Sequence, residues 1–573
     1  MKNCKHYDIC GLKADADPEA GLCILHSKDP KKDKKAFVKK LEEHRKNRRD
    51  CFRFFVFPEK VGFNDATFTK EADFKGATFT KEADFNNATF TKEANFNGAT
   101  FAEQAGFYGA KFAEGVDFSG AKFAAKAYFS DATFTKEVGF MGAIFNKEAD
   151  FMKAKFTEGA FFFDAKFVKE AKFYETTFAK EAKFTVATFA KKAGFNGAKF
   201  TEEVDFRNAT FAKEAIFIGA AFIEDAHFSN ATFTKEADFS VATFAKEANF
   251  YKAKFSEETD FIGTTFTKGA NFARTLFKKG VVDFRYSRFF DRTLFVGFKE
   301  KKKKTTNIFQ GIKVDFRNVD VTPPDAIIFR DADLSRCLLQ GTRVDKIEFT
   351  GVKWNKISGK LGYSRVGIYD AKVLLESDKG KKNKEMDWEH VERVYRDLKK
   401  NHEENRDYER AGDFHYGEKE MRRRNPNTPG FHRFILHLYR LISGYGERYI
   451  RPLVWALVLL IACTIGYMAL GIGPKGIETK SIETKGMETK SMESKDVETK
   501  DVETKEGVRL LKITSIKDWI TVGLYSLQVM MLLRPTELQP IGVASSGLKV
   551  FQSIAGPIII GLFALAIRQR MKR

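Results

Sequence analysis

Between Phe63 and Phe284 a phenylalanine returns alternately every five and every six residues, beginning Phe63, Phe68, Phe74, Phe79, Phe85, Phe90, Phe96 and Phe101. Most have a small residue two positions earlier, as in Ala66-Thr67-Phe68 and Ala72-Asp73-Phe74. The unit is eleven residues long, and repetition at a fixed period decides the architecture before local propensity does. An eleven-residue period also suits a right-handed helical coil. On a helix, however, Phe68 and Phe74 stand about 120° apart and no single apolar stripe forms. In an extended chain residues i−2 and i share a face, so each Ala-x-Phe triplet turns both apolar side chains inward. The pattern predicts short strands and corners wound into a β-solenoid over residues 61–300. Coils of about 22 residues, roughly ten of them, make a rod near 50 Å at about 4.8 Å per coil. Each buried phenylalanine contributes about 1.5–3 kcal/mol.

Further along, FRDADLSRCLLQGTRVDKIEFTGVKW sets Phe329, Leu334, Leu339, Val344, Phe349 and Trp354 five apart. Ala332, Cys337, Thr342, Ile347 and Val352 stand two positions before the last five. A small residue at i−2 and a large apolar residue at i is the pattern of the pentapeptide-repeat family, which this chain resembles. The resemblance implies a mainly β fold, a right-handed quadrilateral β-helix with one five-residue face per side. The steps of six depart from it and predict an extra corner residue on two sides of each coil. Residues 301–357 form the degenerate end of the solenoid. Outward Thr-Lys-Glu segments repeat in register, so lysines stack over lysines, and neighbouring Lys–Glu pairs offset the repulsion by a few tenths of a kcal/mol each, roughly.

The first 30 residues hold Cys4, Cys10, Cys23 and His26, a C-x5-C-x12-C-x2-H spacing. Three thiolates and an imidazole suit a structural zinc ion, and metal would fix a segment too short to bury its own core. His6 can replace one ligand, and a metal-free cysteine-rich cap is the alternative. Four protein ligands leave no position for substrate. Residues 31–60 comprise a charged helix followed by CFRFFVFP, the entry strand that caps the first coil.

Past residue 384 the apolar period becomes helical. Trp388, Val391, Tyr395 and Leu398, then Tyr408, Ala411, Phe414, Glu418 and Met421, predict an α-helical hairpin over 384–424. Residues 431–447 form an amphipathic helix suited to a membrane interface. Residues 453–472 carry no charge and are long enough to span a bilayer. Residues 474–506 repeat GIETK, SIETK, GMETK and related pentads, a low-complexity exposed loop. Residues 519–533 are apolar but short, which suits a re-entrant helix, and residues 550–567 are long enough to cross. Basic residues before the first span and after the last place both termini in the cytoplasm.

Span, re-entrant helix, span resembles the ion-channel domain attached to some pentapeptide-repeat proteins. The resemblance implies a homotetramer around a pore, with 519–533 as pore helix and Arg534–Pro540 as filter loop. Gln528, Arg534, Thr536 and Glu537 would line the pore, and Gly556 with Pro557 would form a gating hinge in the inner helix. The potassium-channel filter TVGYG is absent, so carbonyl coordination is not inferred.

The net charge of +21 invites a nucleic-acid partner. Much of the excess lies outside the solenoid, in Lys28–Arg49, Lys299–Lys304, Arg422–Arg424 and the terminal RQRMKR. Beside apolar spans, such clusters mark a cytoplasmic membrane surface. DNA mimicry, known in the pentapeptide-repeat family, needs an acidic surface, the opposite sign. The six cysteines suggest no disulfide framework. His227 stands alone, no catalytic constellation is present, and the protein is not expected to be an enzyme. Two functions remain: an ion-channel-like pore, cation-selective, assembled or regulated by a cytosolic solenoid, and a membrane-anchored scaffold whose solenoid binds an unknown cytosolic protein.

Overall fold

The computed structural model describes residues 3–17, 19–47, 50–298, 306–358, 364–377, 386–474, 515–535 and 537–571. The lysine run 299–304, nearly all of the ETK loop, and Thr536 lie outside the described residues. The chain divides into two compact units, Met1–Asn405 and Arg406–Arg573.

In the first unit most strands are two residues long, and as far as Ala270–Asn271 most pair in parallel with the fourth strand after them; from Val281–Asp283 onward the partner is the third or second strand after. Val56 pairs with Thr78 and Phe57 with Phe79, 22 residues on. Four parallel sheets of 11, 13, 12 and 13 strands result, a β-solenoid of about 13 turns. It outruns the phenylalanine repeat at both ends, from the Cys51–Asp73 bridge to Glu348–Thr350. Period-two alternation holds along most of the strands: Thr67 is exposed and Phe68 buried, and Ala72 and Phe74 are both inside. The phenylalanines form four columns. Phe68 lies 4.6 Å from Phe90, with planes 1° apart, and Phe90 lies 4.8 Å from Phe112. That spacing is set by the strand separation. Between columns the rings meet edge to face, as Phe85 and Phe96 do at 5.4 Å and 87°.

The five-residue steps turn through a left-handed residue. Ala66 N donates to Phe63 O at 3.1 Å, closing a four-residue turn whose third member, Asp65, has φ 57°. The same position recurs every eleven residues, filled by Gly76, Asn87 and Gly98, and also by Val186 and Val241.

Charge pairing differs in detail from a simple lysine ladder. Lys81–Glu103 (2.9 Å), Lys180–Glu202 (3.2 Å) and Lys235–Glu257 (2.6 Å) each join residues 22 apart. The partners occupy one register position, so pairs form where the repeat swaps charge at that position. His227 is not alone, since its Nε2 lies 3.1 Å from Glu203 Oε1.

Two helices precede the solenoid, the single turn α1 (Tyr7–Cys10) and α2 (Lys34–Lys46), and two more close its far end. In α3 (Tyr369–Ser377) the buried Asp370 carboxylate accepts from Leu339 N and Gln340 N at 2.8–3.0 Å. In α4 (Trp388–Glu404) Asn401 Nδ2 donates to the carbonyls of Val344, Asp345 and Ile347. The boundary between units falls at Asn405, so α4 belongs with the solenoid and the next helix does not.

The second unit is helical: α5 (Tyr408–Arg424), α6 (Gly430–Ser443), α7 (Ile450–Leu470), α8 (Ile516–Met530) and α9 (Val543–Met571). Two of them, α7 and α9, are long and apolar enough to cross a membrane.

Candidate functional site

Three groups of side chains stand out, one near the N-terminus and two in the second unit. Near the N-terminus, Tyr7 N donates to Cys4 O at 2.9 Å and starts a single helical turn, α1 (Tyr7–Cys10), that ends at left-handed Gly11. A second turn, with Ser27 N donating to Cys23 O at 2.8 Å, sets His26 three residues after Cys23. Together they gather Cys4, Cys10, Cys23 and His26, all buried, with their four ligand atoms within 4.8 Å of one another. His26 Nδ1 lies 3.5 Å from Cys4 Sγ and 3.2 Å from Cys23 Sγ, and Cys23 Sγ lies 3.7 Å from Cys10 Sγ. His6 is outside this set; its ring stacks on Phe54 and lies tilted against that of His26.

In the second unit Glu420 of α5 is the centre of a buried ionic cluster. Its carboxylate accepts from Arg423 Nη2 and Arg424 Nε, both at 2.7 Å, and from Tyr445 Oη at 3.1 Å. Burial pushes the Glu420 carboxyl up, but the arginines outweigh it and hold it down at about 2. The cluster ties α5 to the end of α6. Arg451 and Trp455 of α7 then donate to the carbonyls of Arg440 and Leu441, which fixes where the first apolar helix begins. Phe431, Phe434, Ile435, Leu438 and Leu441 of α6 are exposed, an apolar stripe directed outward.

The helices α7, α8 and α9 pack around a polar centre. Tyr467 Oη donates to Gln552 Oε1 at 2.9 Å, and Gln552 Nε2 donates to Ser526 O at 3.0 Å and to Ser526 Oγ at 2.6 Å. Around it Cys463, Val522, Tyr525 and Val529 form an apolar core. Outward, Leu453, Leu457, Ile461 and Ile465 of α7 and Ile554, Ile558 and Leu565 of α9 are exposed. A Cβ on Gly556 would stand 2.7 Å from Met530 O, so α8 and α9 meet backbone to backbone there. Ile472–Pro474, just after α7, pairs antiparallel with Leu538–Pro540, just before α9.

Of the residues singled out by sequence, Gln528 is half-buried near the end of α8, and Arg534 and Glu537 are exposed beyond it. Thr536 lies outside the described residues. Leu538–Pro540, expected within the filter loop, is a paired strand. Gly556 and Pro557 lie inside one continuous helix, where Gly556 serves close packing. The polar centre of Tyr467, Ser526 and Gln552 was missed by sequence reasoning. Its signal was available, because polar side chains within apolar spans are costly unless they meet.

Comparison with known families agrees with the repeat. The family model described as Pentapeptide repeats (9 copies) matches residues 63–111, 107–151, 195–243 and 242–288. The chain therefore carries pentapeptide repeats and winds them into the β-solenoid described above. No curated protein and no solved structure matches it.

Proposed function

We propose that the C-terminal unit is a pore-type membrane domain: α7 and α9 cross the bilayer, α8 is a re-entrant helix between them, and the solenoid is a cytosolic platform that assembles or regulates it. The observation that carries this is the path of the chain around α8. Met530, at the end of α8, lies against Gly556, thirteen residues into α9, a depth of about 20 Å at 1.5 Å per residue. Only eight residues later Leu538 is paired with Pro474, beside the start of α9. A chain that descends as a helix and returns as a loop places non-helical backbone at depth, which lipid-facing hydrocarbon does not tolerate. The loop must face protein or water, and a closed homo-oligomer, a tetramer by resemblance to two-span channels, supplies both. Residues 524–541 contain no glycine, so selectivity rests on side chains, with Glu537 favouring cations and Arg534 opposing them. Basic residues flanking the two spans favour cytoplasmic termini. We assign the chain no catalytic role.

The glycine-free loop and exposed Arg534 favour a second reading, in which the same helices only anchor a solenoid scaffold that binds a cytosolic protein. Side-specific thiol labelling tests the re-entrant path. With Ser515→Cys and Glu537→Cys in full-length protein, an impermeant maleimide should reach both from the external face, over the background of the parent chain. Labelling from opposite faces would show that α8 crosses, and would overturn the pore arrangement.

A further inference from the structure

We infer that Cys4, Cys10, Cys23 and His26 bind a zinc ion whose work is to clamp the N-terminal cap onto the open first coil of the solenoid. Zinc bound tetrahedrally, with Zn–S about 2.3 Å and Zn–N about 2.0 Å, sets its ligand atoms about 3.5 Å (S to N) and about 3.8 Å (S to S) apart. The distances between Cys23 Sγ and Cys10 Sγ (3.7 Å) and from His26 Nδ1 to two thiols (3.2 and 3.5 Å) are close to those edges. The second shell fits too. His26 Nε2 lies 3.2 Å from Arg53 O; a carbonyl only accepts, so the ring proton sits on Nε2 and the Nδ1 lone pair is turned toward the thiols. Backbone amides point at sulfur: Cys23 N donates to Cys4 Sγ at 3.3 Å and Leu12 N to Cys10 Sγ at 3.4 Å, which favours thiolates.

The surroundings explain what such an ion would secure. Among the described residues of 3–27 the buried apolar side chains besides the cysteines are Ile9, Ala14 and Leu25, too few to fold a segment alone. Yet this segment covers the first phenylalanines. His26 meets Phe55 edge-on at 5.0 Å, Leu25 O accepts from Val56 N at 2.8 Å, and His26 itself is bonded to Arg53. A ligand set including His26 therefore joins the cap to the coil through one side chain. Metal binding and closure of the solenoid's edge become a single event.

The test uses full-length protein purified in detergent without added metal. About one zinc per chain is expected, and cobalt exchanged into the site should give the strong visible absorption of tetrahedral thiolate coordination. Cys23→Ser should reduce bound zinc to background, whereas His6→Ala should retain it. Chelation should speed amide exchange across residues 50–79 and leave coils near residue 200 unchanged. Protein that holds no zinc and takes up neither zinc nor cobalt would overturn the site, as would full zinc content in Cys23→Ser or iron in place of zinc. Zinc removal without faster exchange at the first coil would overturn the clamp.

Discussion

Tyr467 and Gln552, on two different apolar helices, are joined by a hydrogen bond of 2.9 Å, and the same glutamine amide reaches Ser526 on the third. One side chain thus holds α7, α8 and α9 together in a setting where apolar packing alone does not choose partners. Gln552→Leu leaves Tyr467 Oη without its partner, at about 1–3 kcal/mol for a buried polar group left unsatisfied, while Ser526 Oγ keeps its contact with Leu460 O. The variant should melt well below the parent in detergent. Tyr467→Phe, which removes one bond and leaves the Ser526 contacts, should have the smaller effect.

At Gly556 the backbones of α8 and α9 approach closely. With a Cβ 2.7 Å from Met530 O and 2.6 Å from its Cγ, Gly556→Ala must push α8 away. Gly561, where the added carbon meets nothing within 4 Å, is the control. The expected result is that Gly556→Ala loses any ion flux while inserting normally, and Gly561→Ala keeps it.

Asp238, Asp260 and Asp283 stand in register on one sheet. Burial, then the charges of Asp238, Glu258 and Asp283, push the Asp260 carboxyl from its ordinary 3.8 up to about 7. Between those values the folded chain holds a proton that the unfolded chain has lost, so stability falls as pH rises through that window. The solenoid should melt higher at pH 5 than at pH 8. Asp260→Asn should raise the melting point at pH 8 and flatten the dependence.

Val241, at φ 51°, occupies a turn position most often filled by glycine, asparagine or aspartate. A β-branched residue is strained in this region, and the left-handed conformation costs about 1–2 kcal/mol. Val241→Gly should therefore stabilise the solenoid, by about 1 kcal/mol after glycine's own entropy is counted, seen as a higher denaturation midpoint.

The same positions show what the sequence makes legible. Ala72 and Phe74 point inward because extended chain alternates faces, and period two survives any tertiary detail. The five–six rhythm likewise locates the corners. A left-handed Val186 or Val241 is invisible, since its backbone is set by the stacked coils and not by its own preference. Lys–Glu pairing was partly legible: the charges repeat, but only superposition of coils shows Lys81 over Glu103. Residue types and spacing marked Cys4, Cys10, Cys23 and His26 as a group, while the placement of His6 depended on ring stacking. Apolar length located α7 and α9. The meeting of Met530 with Gly556 is tertiary and had no local signal.

The most direct test of the pore is ion flux from liposomes holding the purified full-length protein, with potassium, sodium and chloride compared and Gln528→Ala and Glu537→Gln run in parallel. A cation flux that those substitutions alter is the predicted result. No flux from protein shown to be folded and inserted would contradict it and leave the anchored scaffold.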